Sequence, residues 1–305
     1  MLFLKWIVKT IVEIYEYEVL ERKTMKTAII TDSGANILPE TLVKYPNLFV
    51  VPLMILVDDK SYRDQIEISA DEVYQLLDDH HVSTSLPSID DLNNLLDQLK
   101  KDGFTDAIVL NMSSGLSGTY NSFRLAFEHV EGINITHMDT KTLAGGLAIL
   151  VEQACEMVNK DISIPQIIKT LNQLRYEDSI ALYTISTLKY LRKGGRIGRV
   201  EGTIGNILRI KPVIALNDDG VYITVSKGFG IQRSFLAMKQ LLIDKFKSSA
   251  IDLIVHFGDD IEKARQLGES LRRELNIRNI SLSKLTPVLG IHTGPTMFAY
   301  VARKV

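Results

Sequence analysis

Four short segments hold the side chains with chemistry to offer. Ser83-Thr84-Ser85-Leu86-Pro87-Ser88 packs four hydroxyls into six residues ahead of a helical pattern. Ser88 suits the N-cap of the helix that carries Asp90 and Asp91, which leaves Thr84 and Ser85 without a capping role. Ser113-Ser114-Gly115-Leu116-Ser117-Gly118-Thr119-Tyr120 joins the apolar run Ala107–Met112 to a helix. In an open α/β sheet such a turn is where ligands bind, and a helix N-terminus offers N–H groups to an anion. Gly115 and Gly118 permit close backbone approach. The segment lacks the Gly-Lys-Ser/Thr ending of a nucleotide loop, the three glycines of a dinucleotide loop and the Gly-x-Ser-x-Gly of a hydrolase elbow. A site for a generic anion or carboxylate survives these exclusions.

The third segment, Leu191-Arg192-Lys193-Gly194-Gly195-Arg196-Ile197-Gly198-Arg199, is basic and broken by glycine. Arg192 and Lys193 suit a helix C-terminus, where cations complement the dipole and glycine supplies the cap. Arg196 lies past the cap, in an exposed corner from which it reaches a ligand or a partner. The fourth, Ile291-His292-Thr293-Gly294-Pro295-Thr296, reads as a loop after a strand at Val288–Ile291 and before a last apolar helix. His292 shares that loop with two threonines and a glycine, a setting for hydrogen-bonding an anion. His80, His81, His129, His137 and His256 have no partners at metal-ligand spacing, so no metal site is expected.

Alternating strand and helix patterns from Met25 onward must position these segments, and they predict an α/β fold with a mainly parallel sheet. Strands are expected at Thr27–Thr31, Leu48–Val57 with a bend at Pro52, Ala107–Met112 and Ile133–Met138. Helices are expected at Asp71–Leu77, Asp90–Lys100, Tyr120–Val130 and Leu143–Val158. Past residue 180 the pattern changes to a strand at Ala181–Ile185, a short helix Thr187–Lys193 and a hairpin over Val213–Val225. The helix Ser234–Phe246 and the strand Asp252–Phe257 follow. This predicts a second, α+β domain, giving an extension over 1–24, an α/β domain over 25–178 and an α+β domain over 179–305.

Composition bounds the function. Lys+Arg at 35 against Asp+Glu at 37 leaves a net charge of −2, which creates no field to gather nucleic acid. The single cysteine, Cys155, sits in an apolar helical stretch and suggests a reducing, cytoplasmic setting. Residues 1–24 open on large apolar side chains, but Lys5, Lys9, Glu13, Glu16 and Glu18 interrupt any membrane span or secretory signal. Leu4, Val8, Ile11 and Tyr15 fall at helical spacing, which suits a surface helix and a transient membrane-surface contact. Met25, directly before the first strand, is a candidate start.

The motifs together resemble the DegV family of bacterial fatty-acid-binding proteins, in order over residues 26 to 305. They are Thr-Asp-Ser-Gly-Ala-Asn at 31 to 36, Thr84-Ser85-x-Pro87, Ser114-Gly-Leu-Ser-Gly-Thr-Tyr120, Leu188-x-x-Leu191-x-x-Gly-Gly-Arg-Ile197, Lys211-Pro212 and His292-Thr-Gly-Pro295. The resemblance implies an N-terminal α/β domain, a C-terminal α+β domain and one fatty acid held between them, with no other cofactor. It implies that the chain is a non-catalytic binding subunit, whose partner is an ATP-dependent kinase subunit that makes acyl phosphate from the presented carboxylate. By motif position, Thr84, Ser85, Ser117, Gly118 and His292 would hold the carboxylate. Asp32 and Ser33 would line the same crevice, and Arg196 would face the partner or the product phosphate. The chain departs from the family at Leu86, where glutamine is common, at Ala144, where serine is frequent, and in residues 1–24, which have no counterpart.

Elementary energetics agree. Hydroxyls and backbone N–H groups satisfy a buried carboxylate without a buried countercharge. At about 0.8 kcal/mol per buried CH₂, a tail of roughly 16 carbons supplies on the order of 10 kcal/mol before binding costs. Phe123, Phe127, Leu208 and Ile210 are candidates for a tunnel wall. The main rival is a serine hydrolase or acyltransferase with Ser117 as nucleophile, His292 as base and Asp32 as orienting acid. A lipid sensor without a kinase partner is the other.

Overall fold

The computed structural model describes residues 26–200 and 209–305. The 1–24 extension with its Leu4, Val8, Ile11, Tyr15 face, Met25 and the tunnel candidate Leu208 lie outside the described residues.

The chain begins with β1 (Thr27–Asp32), α1 (Pro39–Lys44), β2 (Leu48–Val51), β3 (Met54–Val57), β4 (Lys60–Arg63) and α2 (Ala70–Leu76). β5 (Val82–Ser85), α3 (Ile89–Lys101), β6 (Asp106–Asn111), α4 (Thr119–Phe127), β7 (Asn134–Asp139), α5 (Gly145–Val158) and α6 (Ile164–Tyr176) follow. β1 pairs in parallel with β2 and β6, and β6 with β7, giving the order β2-β1-β6-β7. A parallel sheet is covered on both faces, so its strands are apolar on both sides rather than alternating. Ala28, Ile30, Ala107 and Val109 meet Leu92 and Leu99 of α3 and Phe123 and Phe127 of α4. Ile29, Ile108 and Leu110 point the other way, into the core that holds Leu147, Leu150 and Ala154 of α5.

Pro52 does more than bend the expected strand Leu48–Val57. The run splits into β2, in the parallel sheet, and β3, which pairs antiparallel with β4 and β5 in a separate three-stranded sheet. Proline lacks the ladder N–H, so the run cannot continue in one sheet. The Ser83–Ser85 segment is thus an edge strand, with Thr84 opposite Ile55, and not a loop. Its hydroxyl-rich composition hid the strand.

The second half forms one mixed six-stranded sheet. Its elements are β8 (Ser179–Thr184), α7 (Lys189–Lys193), β9 (Ile210–Leu216), β10 (Tyr222–Phe229), α8 (Ile231–Phe246) and β11 (Ile251–Phe257). α9 (Ile261–Leu271), β12 (Ile277–Lys284), α10 (Pro287–Thr293) and β13 (Phe298–Lys304) complete it. The strand order is β10-β9-β8-β13-β11-β12. Phe235, Met238 and Leu242 of α8 and Ala264, Leu267 and Leu271 of α9 belong to the core on one face, while Tyr183, Ile214 and Ala299 join the core shared with α5. The chain therefore passes from the parallel sheet to the mixed sheet at β8.

The reading of the C-terminus is reversed in two elements. Val288–Ile291 belongs to a helix, α10, started by Pro287 at its first turn, and the last apolar run is the strand β13. Short apolar runs carry no period that separates helix from strand. β13 lies between β8 and β11 and is buried along five successive residues, which removes the alternation that would have marked it.

Candidate functional site

A cavity of about 260 Å³ opens where the three sheets meet. The parallel sheet contributes the turns that follow β6 and β7, the small sheet contributes Thr84 and Ser85 of β5, and the mixed sheet contributes β8, β9 and β13. Its walls are chiefly apolar, with Leu53, Met112, Leu143, Leu182, Leu289 and Met297 among them. Of the expected tunnel residues, Phe123 and Phe127 lie instead in the core layer under α3 and α4. Ile210 packs against the main core and does not reach the wall.

The candidate head-group residues are all in this wall. Thr84, Ser85, Ser117, Gly118, Arg196 and His292 all line the cavity, so five of the carboxylate candidates and the arginine converge from separate elements. Thr84 Oγ1 lies 3.0 Å from His292 Nε2. Ser117 Oγ pairs with Thr119 Oγ1 at 2.8 Å and accepts the Thr119 N–H at 3.3 Å, beside Gly118, the N-cap of α4. Leu86 packs on Gly118, close enough that a Cβ there would sit 3.4 Å from Leu86 Cδ2. An apolar side chain thus stands at this edge of the site, itself 44% exposed.

Arg196 differs from its expected placement. It is not confined to an exposed corner facing a partner but is half-buried in the cavity wall. Its Nη1 donates to Gly194 O at 2.7 Å and its Nε to Leu116 O at 3.4 Å. The chain folds back at the α7 C-cap, which brings residue 196 against the turn after β6. The cavity wall thus carries a guanidinium as well as hydroxyls, which differs from the expectation of a site without countercharge.

Burial, with a smaller contribution from the nearby Arg196 charge, lowers the His292 pKa to about 4, so the ring is neutral near pH 7. The neutral ring holds one proton, and Nε2 faces Thr84 while Nδ1 is buried without a partner. Gly194 closes over that nitrogen: a Cβ on residue 194 would lie 2.1 Å from His292 Nδ1.

Asp32 and Ser33 do not line the crevice. Asp32 Oδ2 accepts from Asn111 Nδ2 at 2.9 Å and Met112 N at 2.8 Å, and Oδ1 accepts from Gly34 N at 3.0 Å. Burial pushes its pKa up to about 6 against these stabilising bonds. Ser33 Oγ accepts the Leu53 N–H at 3.0 Å. Both residues hold wall residues, Met112 and Leu53, from behind. The hydrolase alternative loses its geometry at the same point. Ser117 bonds Thr119, His292 bonds Thr84 and Asp32 bonds Asn111, so no nucleophile, base and acid are joined.

The sequence does not pick out Asp64 or His256 for the site, and it marks Ala144 only as a departure from the family. His256 is fully buried in the wall, with Nε2 accepting the Gly145 N–H at 3.0 Å and Nδ1 3.2 Å from Ser283 O, and burial lowers its pKa to about 4. Ala144 lines the cavity at φ 50, ψ −138, a strained conformation for a residue with a Cβ. Asp64, also buried, accepts the Val288 N–H at 3.0 Å and so anchors the start of the helix that carries His292.

Asp64 yields a pH prediction. Burial, with a smaller contribution from the Asp32 charge, raises its pKa from 3.8 to about 7. A folded-state pKa above the unfolded one gives stability that is complete below pH 3.8 and lost as pH rises through 7. Asp64→Asn keeps the acceptor for Val288 and removes the titration. The variant's melting temperature should gain on wild type between pH 4 and pH 8, by on the order of 5 °C. Parallel melting curves across that range would show the Asp64 account to be wrong.

Among the described residues, no group of three or more His, Cys, Asp or Glu side chains could hold a metal ion, and no helix is long and apolar enough to cross a membrane. A family model described as an uncharacterised protein of the DegV family matches residues 26–305. A DegV domain-containing protein of Clostridium acetobutylicum is 36% identical over 282 residues, covering 92% of this chain and 99% of the relative. A solved structure described as fatty acid binding of a DegV family protein from Thermus thermophilus superposes with a TM-score of 0.84 at 25% identity, covering 92% of this chain and 100% of the other. A stearic-acid-binding protein of Eubacterium ventriosum gives a TM-score of 0.82 at 26% identity, covering 92% and 98%.

Proposed function

The chain belongs to the DegV family, and from that premise we propose that it binds one long-chain fatty acid. The carboxylate would sit among Thr84, Ser85, Ser117, Gly118, His292 and Arg196, and the acyl chain would run along the apolar wall. The observation that carries this reading is the make-up of the cavity wall: the head-group candidates and Arg196 line it together, and the rest is mainly apolar, with Tyr183, Tyr222, His256 and Thr293 as its other polar side chains. A single-headed amphiphile matches that division, because the tail supplies affinity and the head supplies orientation. The stearic-acid-binding and fatty-acid-binding relatives of the same fold support it.

The finer reading is that the chain is a non-catalytic, cytoplasmic subunit that presents the carboxylate to a separate ATP-dependent kinase subunit, which forms acyl phosphate. Supporting it are the motif resemblance and a head-group site whose histidine is neutral and whose serine has no base beside it. Native mass spectrometry of the purified protein tests the ligand class: a co-purifying or added fatty acid should appear at one per chain. The isolated chain should not turn over ATP, since its sequence has no glycine-rich nucleotide loop ending in Gly-Lys-Ser/Thr. ATP hydrolysis that co-elutes with the pure chain and responds to Ser117→Ala would falsify the binding-subunit reading.

A further inference from the structure

Ser113 does not line the cavity, yet two residues of the head-group wall hang from it. It stands two positions past the end of β6 and is fully buried. Its carbonyl accepts the Leu116 N–H at 3.1 Å and the Ser117 N–H at 3.2 Å. The Leu116 carbonyl in turn accepts from Arg196 Nε at 3.4 Å. One peptide group therefore fixes the turn that carries the Ser117 hydroxyl and holds the Arg196 guanidinium.

Ser113 is itself fixed by the mixed sheet. Its Oγ donates to Gly220 O at 2.8 Å and accepts the Gly115 N–H at 3.1 Å, which commits the hydroxyl's single proton. Gly220 lies in the turn between β9 and β10, two residues before Tyr222 of the cavity wall. The approach is close from both sides. A Cβ on residue 220, where φ is +75, would run into Ser113 Oγ, and a Cβ on residue 115 would lie 2.7 Å from Gly220 O. Arg175 braces the same turn, donating from Nη2 to Asn217 O at 3.4 Å and to Lys141 O at 2.7 Å. The turns after β6 and β7 are joined as well, since the Ser113 N–H donates to Thr142 O at 2.8 Å.

Resting on the fatty-acid reading, we propose that Ser113 is a positioning residue, whose hydroxyl ties the head-group turn to the β9–β10 hairpin and so places Ser117 and Arg196 for a carboxylate. It does not touch the ligand. Without the hydroxyl, the Gly220 carbonyl and the Gly115 N–H lose their shared partner and the turn relaxes away from the hairpin. Hydrogen bonds to the anion then weaken, because they depend steeply on distance and angle. Contacts of the tail are non-directional and persist.

The test titrates palmitate and 1-hexadecanol into the full chain by calorimetry. Ser113→Ala should bind palmitate about tenfold more weakly than wild type, and hexadecanol within about twofold. Gly115→Ala keeps the hydroxyl but pushes the turn off Gly220, so it should give the same pattern even where Ser113→Ala does not fold. In a Ser117→Ala background the loss from Ser113→Ala should shrink to about threefold or less, because one of its targets is already gone, whereas a general loosening would make the two losses multiply. Unchanged palmitate affinity in the folded variants, an equal loss of both ligands, or multiplying losses overturns the proposal. If wild type binds neither ligand, the fatty-acid reading itself fails and takes this one with it. If wild type binds palmitate and the variants bind it equally well, only the positioning role of Ser113 falls.

Discussion

The Thr84→Ala, Ser117→Ala double variant should lose on the order of a hundredfold or more in affinity for a free fatty acid while remaining folded. Thr84 comes from an edge strand and Ser117 from a strand-to-helix turn, and both line the cavity where Arg196 and His292 do. One carboxylate accepts several hydrogen bonds, so each hydroxyl removed leaves a partly unsatisfied anion. Each loss should cost roughly 1 to 3 kcal/mol, five- to hundredfold, and the two should not add exactly as independent terms because they share an acceptor. Arg196→Ala should weaken the free acid as well, since the guanidinium lies in the same wall. Fatty alcohols of equal length carry no charge and should respond much less to any of these changes. Isothermal titration with acid and alcohol series checks this. Equal acid affinity in wild type and the folded double variant would remove the head-group assignment.

Gly194→Ala should weaken fatty-acid binding five- to hundredfold without a backbone penalty. Residue 194 sits at φ −82, ψ −4, a conformation that alanine adopts readily. The space does not allow it. A Cβ would lie 2.1 Å from His292 Nδ1 and 2.8 Å from its Cε1, so the imidazole must turn away and give up the 3.0 Å contact with Thr84. Gly195→Ala supplies the contrast. Nothing lies within 4 Å of a Cβ at residue 195, but its φ of +68 is a left-handed conformation. That substitution should cost about 1 kcal/mol of stability and leave ligand affinity unchanged. Affinities and melting temperatures of the two variants, measured side by side, separate the effects. The account fails if Gly194→Ala binds as wild type does, or if both variants lose stability alone.

How far the sequence was legible depended on whether a signal was local. The parallel strands β1, β6 and β7 announced themselves as short apolar runs between helical patterns, and the hairpin of β9 and β10 through its Asp218-Asp219-Gly220 turn. Ser88 was identifiable as a cap because capping is decided within four residues, and its side chain does accept from Asp90 N and Asp91 N. β5 and β13 were not legible. The first is an edge strand rich in hydroxyls, and the second is a central strand with no alternation. Strand identity in both comes from pairing with distant residues.

The same division holds at the site. The sequence alone determined an α/β fold with hydroxyl-rich and basic segments beside its elements, and through its resemblance to the DegV family it supplied Thr84, Ser85, Ser117, Gly118 and His292 as carboxylate candidates. Only the tertiary structure decided that Arg196 stands with them and that Asp32 and Ser33 stand behind the wall. Only it brought in Asp64 and His256, and it alone placed Phe123 and Phe127 in a core layer away from the cavity. The reason is the range of the forces. Capping, turn formation and helical periodicity act over a few residues and are written in adjacent side chains. Cavity walls form where separate elements pack face to face. Whether a side chain faces core, cavity or solvent there depends on partners more than a hundred residues away, as in the contact of Thr84 with His292 across 208 positions.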